Sequence, residues 1–102
     1  MYKIEYLATA VDDMREIVGY INTRLCNPIA AGRLAEKFVA AAEELSDFPY
    51  RSRVYSPARP LSREYRKVLV GNYLMFYWID ENLKTVTIAR VIYAGRNYEN
   101  EL

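Results

Sequence analysis

Polar and apolar positions alternate from the first residues of the chain. Tyr2, Ile4 and Tyr6 interleave with Lys3 and Glu5, which predicts a short, half-buried strand. The period then lengthens. Val11, Met14, Val18, Ile21 and Leu25 recur at steps of three and four, with Ile17 widening the stripe, and predict a helix over about residues 10–25. Thr9 followed by Asp12 has the spacing of a capping box for its start. Asn27-Pro28 ends this helix and opens the next, because Asn27 can accept from free N–H groups and Pro28 needs no partner in a first turn. A second stripe, Ala31, Leu34, Ala35, Phe38, Ala42, Leu45 and Phe48, predicts a helix over residues 28–48 that ends at Pro49. So short a connection makes the pair an antiparallel hairpin, and Ala30, Ala31, Ala40, Ala41 and Ala42 allow the helices to approach closely.

Residues 49–64 read as a loop, punctuated by Pro49, Pro57 and Pro60. Beyond it the period falls to two. Tyr65–Val70, Tyr73–Ile79 and Thr85–Tyr93 are β-rich runs, joined by Gly71-Asn72 and by the polar turn that begins Asp80-Glu81-Asn82. The whole chain, 1–102, therefore reads as a single α+β domain: a strand, an antiparallel two-helix hairpin, then a three-stranded antiparallel meander, with the helices on one face of the sheet.

Composition narrows the chemistry. The sequence contains no histidine, which excludes a Ser-His-Asp or Cys-His nucleophile and any histidine general acid or base. The single cysteine, Cys26, has no second cysteine or histidine with which to share a metal, and is expected to be a small residue between the helices. No cofactor is implied. No apolar run approaches the ~20 residues of a membrane span, and the N-terminus lacks a signal-peptide core, so the cytoplasm is the expected location. Residues 1–50 carry five basic against eight acidic side chains, and residues 51–102 carry nine basic against five acidic, for a net charge of +1 overall. A basic sheet half attracts phosphates or an acidic protein segment. The loop arginines Arg51, Arg53, Arg59 and Arg63, interleaved with Tyr50 and Tyr55, form a candidate phosphate-contacting arm.

Gly71-Asn72-Tyr73, with Tyr77 four residues after Tyr73, and Val91-Ile92-Tyr93-Ala94-Gly95-Arg96-Asn97 carry a resemblance to a known family. Behind a two-helix N-terminal half, this pattern resembles the RelE/ParE superfamily of toxins from type II toxin–antitoxin modules, over nearly the whole chain. The resemblance implies a growth-arresting toxin, of the kind that stabilises plasmids, neutralised by a cognate antitoxin whose acidic segment covers Arg96 and an exposed sheet edge. One branch of the superfamily cleaves mRNA on the translating ribosome; the other, ParE-like, poisons DNA gyrase. The strand arginine of the nuclease branch falls at Leu74 and the frequent family histidine at Tyr93, while Arg96 matches the family's C-terminal arginine. Leu74, the long helical hairpin and the near-neutral charge point toward the gyrase branch. A ribosome-dependent nuclease remains the alternative, as does an inactive toxin that keeps only its antitoxin surface.

If the chain is a nuclease, the resemblance assigns phosphate clamping to Arg96, the leaving-group acid to Tyr93 or Tyr98, and the base to Lys67 or Glu64. Binding contacts would come from Arg59, Arg63, Arg66 and Arg90. Each of these residues also has a plainer reading. Tyr73, Tyr77 and Trp78 suit sheet packing, Arg90 a surface carboxylate, and Arg96 a salt bridge to Glu99.

Overall fold

The computed structural model describes residues 1–57, 61–99 and 101–102. Strand β1, Lys3–Tyr6, leads into helix α1, Ala8–Gly19, which continues as a π-helical segment, Tyr20–Arg24. Helix α2, Pro28–Asp47, follows, and strands β2 (Arg66–Val70), β3 (Tyr73–Asp80) and β4 (Thr85–Tyr93) complete the chain. The sheet order is β1-β4-β3-β2. β2, β3 and β4 form the antiparallel meander, and β1 adds parallel to β4, with Lys3 opposite Thr85 and Tyr6 opposite Ile88. The result is the expected α+β architecture.

Gly71 sits at φ 60°, a left-handed conformation that glycine adopts without a Cβ clash, and so lets the β2–β3 turn close in two residues. Asn27 caps α2 as the sequence implies: its Oδ1 accepts from the Ala30 N–H at 3.1 Å. The start of α1 differs. Its cap residue is Leu7, which makes no side-chain cap, and Thr9 lies inside the helix. The Thr9 hydroxyl instead donates to the Ala89 carbonyl at 2.9 Å.

The ladder explains why that carbonyl needs a donor. Phe76 pairs with Arg90 but Tyr77 pairs with Ile88, so Ala89 is an extra, bulged residue in β4. β1 stops pairing at Ile88, which leaves the rest of the β4 edge to α1. The Leu7 N–H donates to the Ile88 carbonyl at 2.9 Å, and the Asp13 carboxylate accepts from the Val91 N–H at 3.0 Å. Helix α1 thus replaces the missing strand one hydrogen bond at a time, as buried backbone polar groups require.

The end of the first helix also departs from the simple stripe. Leu25 N–H donates to the Tyr20 carbonyl, an i to i+5 bond, and the Thr23 hydroxyl bonds back to the Gly19 carbonyl at 2.7 Å. Widening the turn breaks the 3.6-residue phase, so Leu25 leaves the apolar face and is exposed. Cys26 is exposed as well, at φ 50° in the connection, with its thiol directed at the Thr23 carbonyl; it does not pack between the helices. Phe48 falls just past the end of α2, outside helical backbone, and is likewise exposed.

Two cores result. Between helices and sheet, Ala10, Phe38 and Leu45 meet Met75, Tyr77, Val86, Ile88 and Val91. On the other face, Tyr65, Leu74, Phe76, Ala89 and Ile92 are covered by Tyr55 and Leu61 of the long loop and by Tyr98 and Leu102 of the tail. Tyr77 ties the loop to the first core: its buried hydroxyl donates to the Pro49 carbonyl at 2.8 Å, and burial raises its pKa. Tyr77→Phe leaves that carbonyl without its donor and should cost about 1–2 kcal/mol. Urea denaturation should show the midpoint falling with an unchanged slope.

Candidate functional site

The β4 strand ends at Tyr93, and a tight turn carries the chain on to Arg96. The Ala94 N–H donates to the Asn72 carbonyl at 2.9 Å and the Arg96 N–H to the Tyr93 carbonyl at 3.1 Å. Gly95 lies under the Tyr93 ring: a Cβ there would stand 2.6 Å from it, so the exposed ring would have to shift to admit another residue. Tyr93 is cross-strand from Tyr73, and their rings meet edge to face at 6.0 Å, so Tyr93 belongs to the helix-covered face at its open end. Its side of the turn borders a cleft of about 270 Å³ whose lining includes Asp13, Glu16, Tyr20, Tyr73, Tyr93 and Arg96. The Arg96 side chain is 55% exposed and pairs with Glu101, two residues beyond the expected Glu99.

Lys67 and Tyr98 lie elsewhere. Lys67 is the ladder partner of Phe76 and so points to the opposite face. Its ammonium donates to the Tyr98 hydroxyl at 3.2 Å and stands 5.1 and 5.4 Å from the ring centroids of Tyr55 and Tyr98. Cation–π attraction and the phenol oxygen hold it in an aromatic cage beneath loop and tail. Among the described residues Lys67 makes no ion pair. Of the five residues assigned to nuclease chemistry, four thus form two pairs, Tyr93 with Arg96 and Lys67 with Tyr98, on different sides of the sheet, and the fifth, Glu64, lies 3.8 Å from Arg66.

The arginines expected to bind are engaged within the chain. The Arg90 guanidinium makes two hydrogen bonds to Asp13, at 2.7 and 3.0 Å, and one to the Glu101 carbonyl at 3.0 Å. The Asp13 carboxylate raises the Arg90 pKa against an opposing cost of burial. Arg66 donates to the Ser52 carbonyl at 2.5 Å, lies 3.8 Å from Glu64, and stacks on Tyr50. Arg63 lies flat over Trp78, 4.0 Å from the ring centroid. Arg59 lies outside the described residues. Leu74, where the strand arginine of the nuclease branch would fall, is 8% exposed in the second core.

Sequence reasoning missed two acidic residues that organise this end of the molecule. Asp13 joins α1 to the bulged strand, and Glu101 joins the tail to both Arg90 and Arg96. A third, Glu81 in the β3–β4 turn, gathers the hydroxyls of Tyr2 and Tyr50 and the Lys84 ammonium. Lys84 and the two phenols hold the Glu81 carboxyl down to about 2, while the bond to Glu81 pushes Tyr50 up to about 12. The contact of Asp13 with Arg90 spans 77 positions and those of Glu81 with Tyr2 and Tyr50 span 79 and 31, so no local spacing signals them; Glu101 lies only 5 and 11 positions from its two arginines, and its contacts depend on how the tail folds back. Among the described residues no cluster of potential ligands could hold a metal ion.

Comparison with solved structures places the fold among toxin–antitoxin complexes. The chain is similar to a chain of the RelBE2 toxin–antitoxin complex of Mycobacterium tuberculosis, at 25% identity and TM-score 0.60, over 90% of this chain and 96% of that one. It is similar to a chain of the chromosomal ParDE system of P. aeruginosa at 16% identity and TM-score 0.69, over 91% and 96% of the two chains. The archaeal RelE–RelB complex of Pyrococcus horikoshii OT3 is similar at 15% identity and TM-score 0.61, over 94% and 98%. Comparison with curated protein sequences gives no match. The sequence matches the family described as the ParE toxin of the type II toxin–antitoxin system parDE over residues 4–98, nearly its whole length, and the chain therefore belongs to that family of toxins.

Proposed function

We propose that this toxin arrests growth by occupying a protein target, DNA gyrase, without making or breaking a bond, and that a cognate antitoxin neutralises it. The observation that carries this reading is the separation of the candidate chemical groups. RNA cleavage through the 2′-hydroxyl needs a base, a phosphate clamp and a leaving-group acid around one phosphorus. Here Lys67 and Tyr98 bond to each other under the loop and tail, while Tyr93 and Arg96 stand at the other face. Leu74 offers no cation in the strand between them, and a well-placed electrostatic donor is worth ~3–4 kcal/mol to such a transition state. A net charge of +1 also suits a protein target better than a polyphosphate one. The antitoxin reading is supported by the family and by the solved relatives, which are toxin–antitoxin complexes.

Induced expression separates the two modes of arrest. The DNA-damage response should rise while transcripts stay intact; transcripts cut during translation would overturn the occupancy reading. Arg96→Ala should relieve growth arrest at a stability cost within about 0.5 kcal/mol, because the residue is a half-exposed strand-end side chain. Arg96→Lys should be partly toxic, since a lysine cannot reproduce a bidentate guanidinium contact. Leu74→Arg provides the complementary test. It places a charge in the second core, so we expect a loss of roughly 3 kcal/mol or more on thermal denaturation and no gain of RNA cleavage.

A further inference from the structure

The contact that occupies Arg96 comes from the toxin itself. One oxygen of the Glu101 carboxylate meets the Arg96 guanidinium, and the other lies 3.4 Å from Arg90. The tail is folded to bring it there: the Glu101 N–H donates to the Tyr98 carbonyl at 3.0 Å, and the Tyr98 ring packs on Phe76 at 5.4 Å. The two arginines differ in how far they depend on Glu101. Arg90 keeps both bonds to Asp13 without it. Arg96 has Glu101 as its one side-chain partner among the described residues.

We propose that Glu101 is a built-in competitor for the Arg96 surface, and that the surface takes a carboxylate of a protein partner, which binds by displacing Glu101. The cleft beside Arg96 fixes the class of ligand. Asp13 and Glu16 line it together with Ile17, Tyr20, Tyr73 and Tyr93. Arg90 already pairs with Asp13, so Glu16 is the uncompensated carboxylate of the wall; a nucleic-acid backbone would bring successive phosphates against it, with Arg96 alone in the lining to receive them. A peptide segment with a single carboxylate beside an apolar side chain meets less repulsion: the carboxylate pairs with Arg96 and the apolar group fills the cleft between Ile17 and the tyrosines. This inference rests on the reading that a second protein covers the strand end. Growth arrest is scored separately, so either can fail alone.

The test uses the full chain, labelled with nitrogen-15, as wild type, Glu101→Gln and Arg96→Ala. The probes are a blocked six-residue peptide of serine and leucine that carries one glutamate beside a leucine, and a six-nucleotide single strand of DNA. Without any probe, the Arg96 Nε–Hε signal should shift in Glu101→Gln while signals of the sheet core stay in place, which reports the internal contact and the fold together. The peptide should bind Glu101→Gln about two- to fivefold tighter than wild type, the range expected for removing an exposed ion pair. Arg96→Ala should lose that binding. Equal affinity for wild type and Glu101→Gln, an unmoved Arg96 signal, no peptide binding to either form, or preference for the DNA strand would each overturn the proposal.

Discussion

The arrangement of this toxin turns on one carboxylate. Asp13 accepts from the Val91 N–H and from two nitrogens of Arg90, so a single side chain on α1 satisfies both backbone and guanidinium on the bulged half of β4. The need for it follows from topology. β1 is four residues long and pairs only with the first half of β4, and the extra residue at Ala89 interrupts the ladder just past that point. Without a substitute the Val91 donor would be a buried, unpaired group, which costs ~1–3 kcal/mol. Everything downstream of the bulge, including the Tyr93–Arg96 turn, takes its direction from a strand whose free edge is held by a helix.

That arrangement separates two surfaces. On the helix side, the end of β4 opens into a cleft with Tyr93 and Arg96 at its rim and carboxylates on its wall. On the other side, the long loop and the tail close over the sheet, and Tyr55 and Tyr98, both packed on Phe76, flank the Lys67 ammonium. Such a cage stabilises the cap of the second core and leaves the lysine directed at a phenol. At the strand end the Arg96 guanidinium is half-exposed and held by Glu101, beside the exposed Tyr93 ring.

The periodicities carried most of the fold. The stripe of α2, its Asn27 cap, the Gly71 turn and the alternating strands are local features, and local sequence records them. The departures have both nonlocal and local causes. Thr9 does not cap α1 because the helix starts one residue before it, at Ala8, and its hydroxyl donates instead to the Ala89 carbonyl, 80 positions away. Leu25 left its stripe where the helix widened, and Phe48 where the helix had already ended. Arg96 stood out in the sequence because a charged residue just past a strand end has no packing role. Its partner Glu101, the clamp on Arg90 and the pairing of Lys67 with Tyr98 depend on how the tail folds back, which no spacing encodes.

The claim that Asp13 holds the bulged strand is tested most directly by a double-mutant cycle of Asp13→Asn and Arg90→Met, read by chemical denaturation together with hydrogen exchange at the Val91 amide. A coupling of about 2 kcal/mol is expected for a charged, hydrogen-bonded pair at this degree of burial. Val91 should exchange only with global unfolding in the wild type and by local opening in Asp13→Asn. Additive single-mutant effects, with Val91 protection unchanged by loss of the carboxylate, would contradict the account.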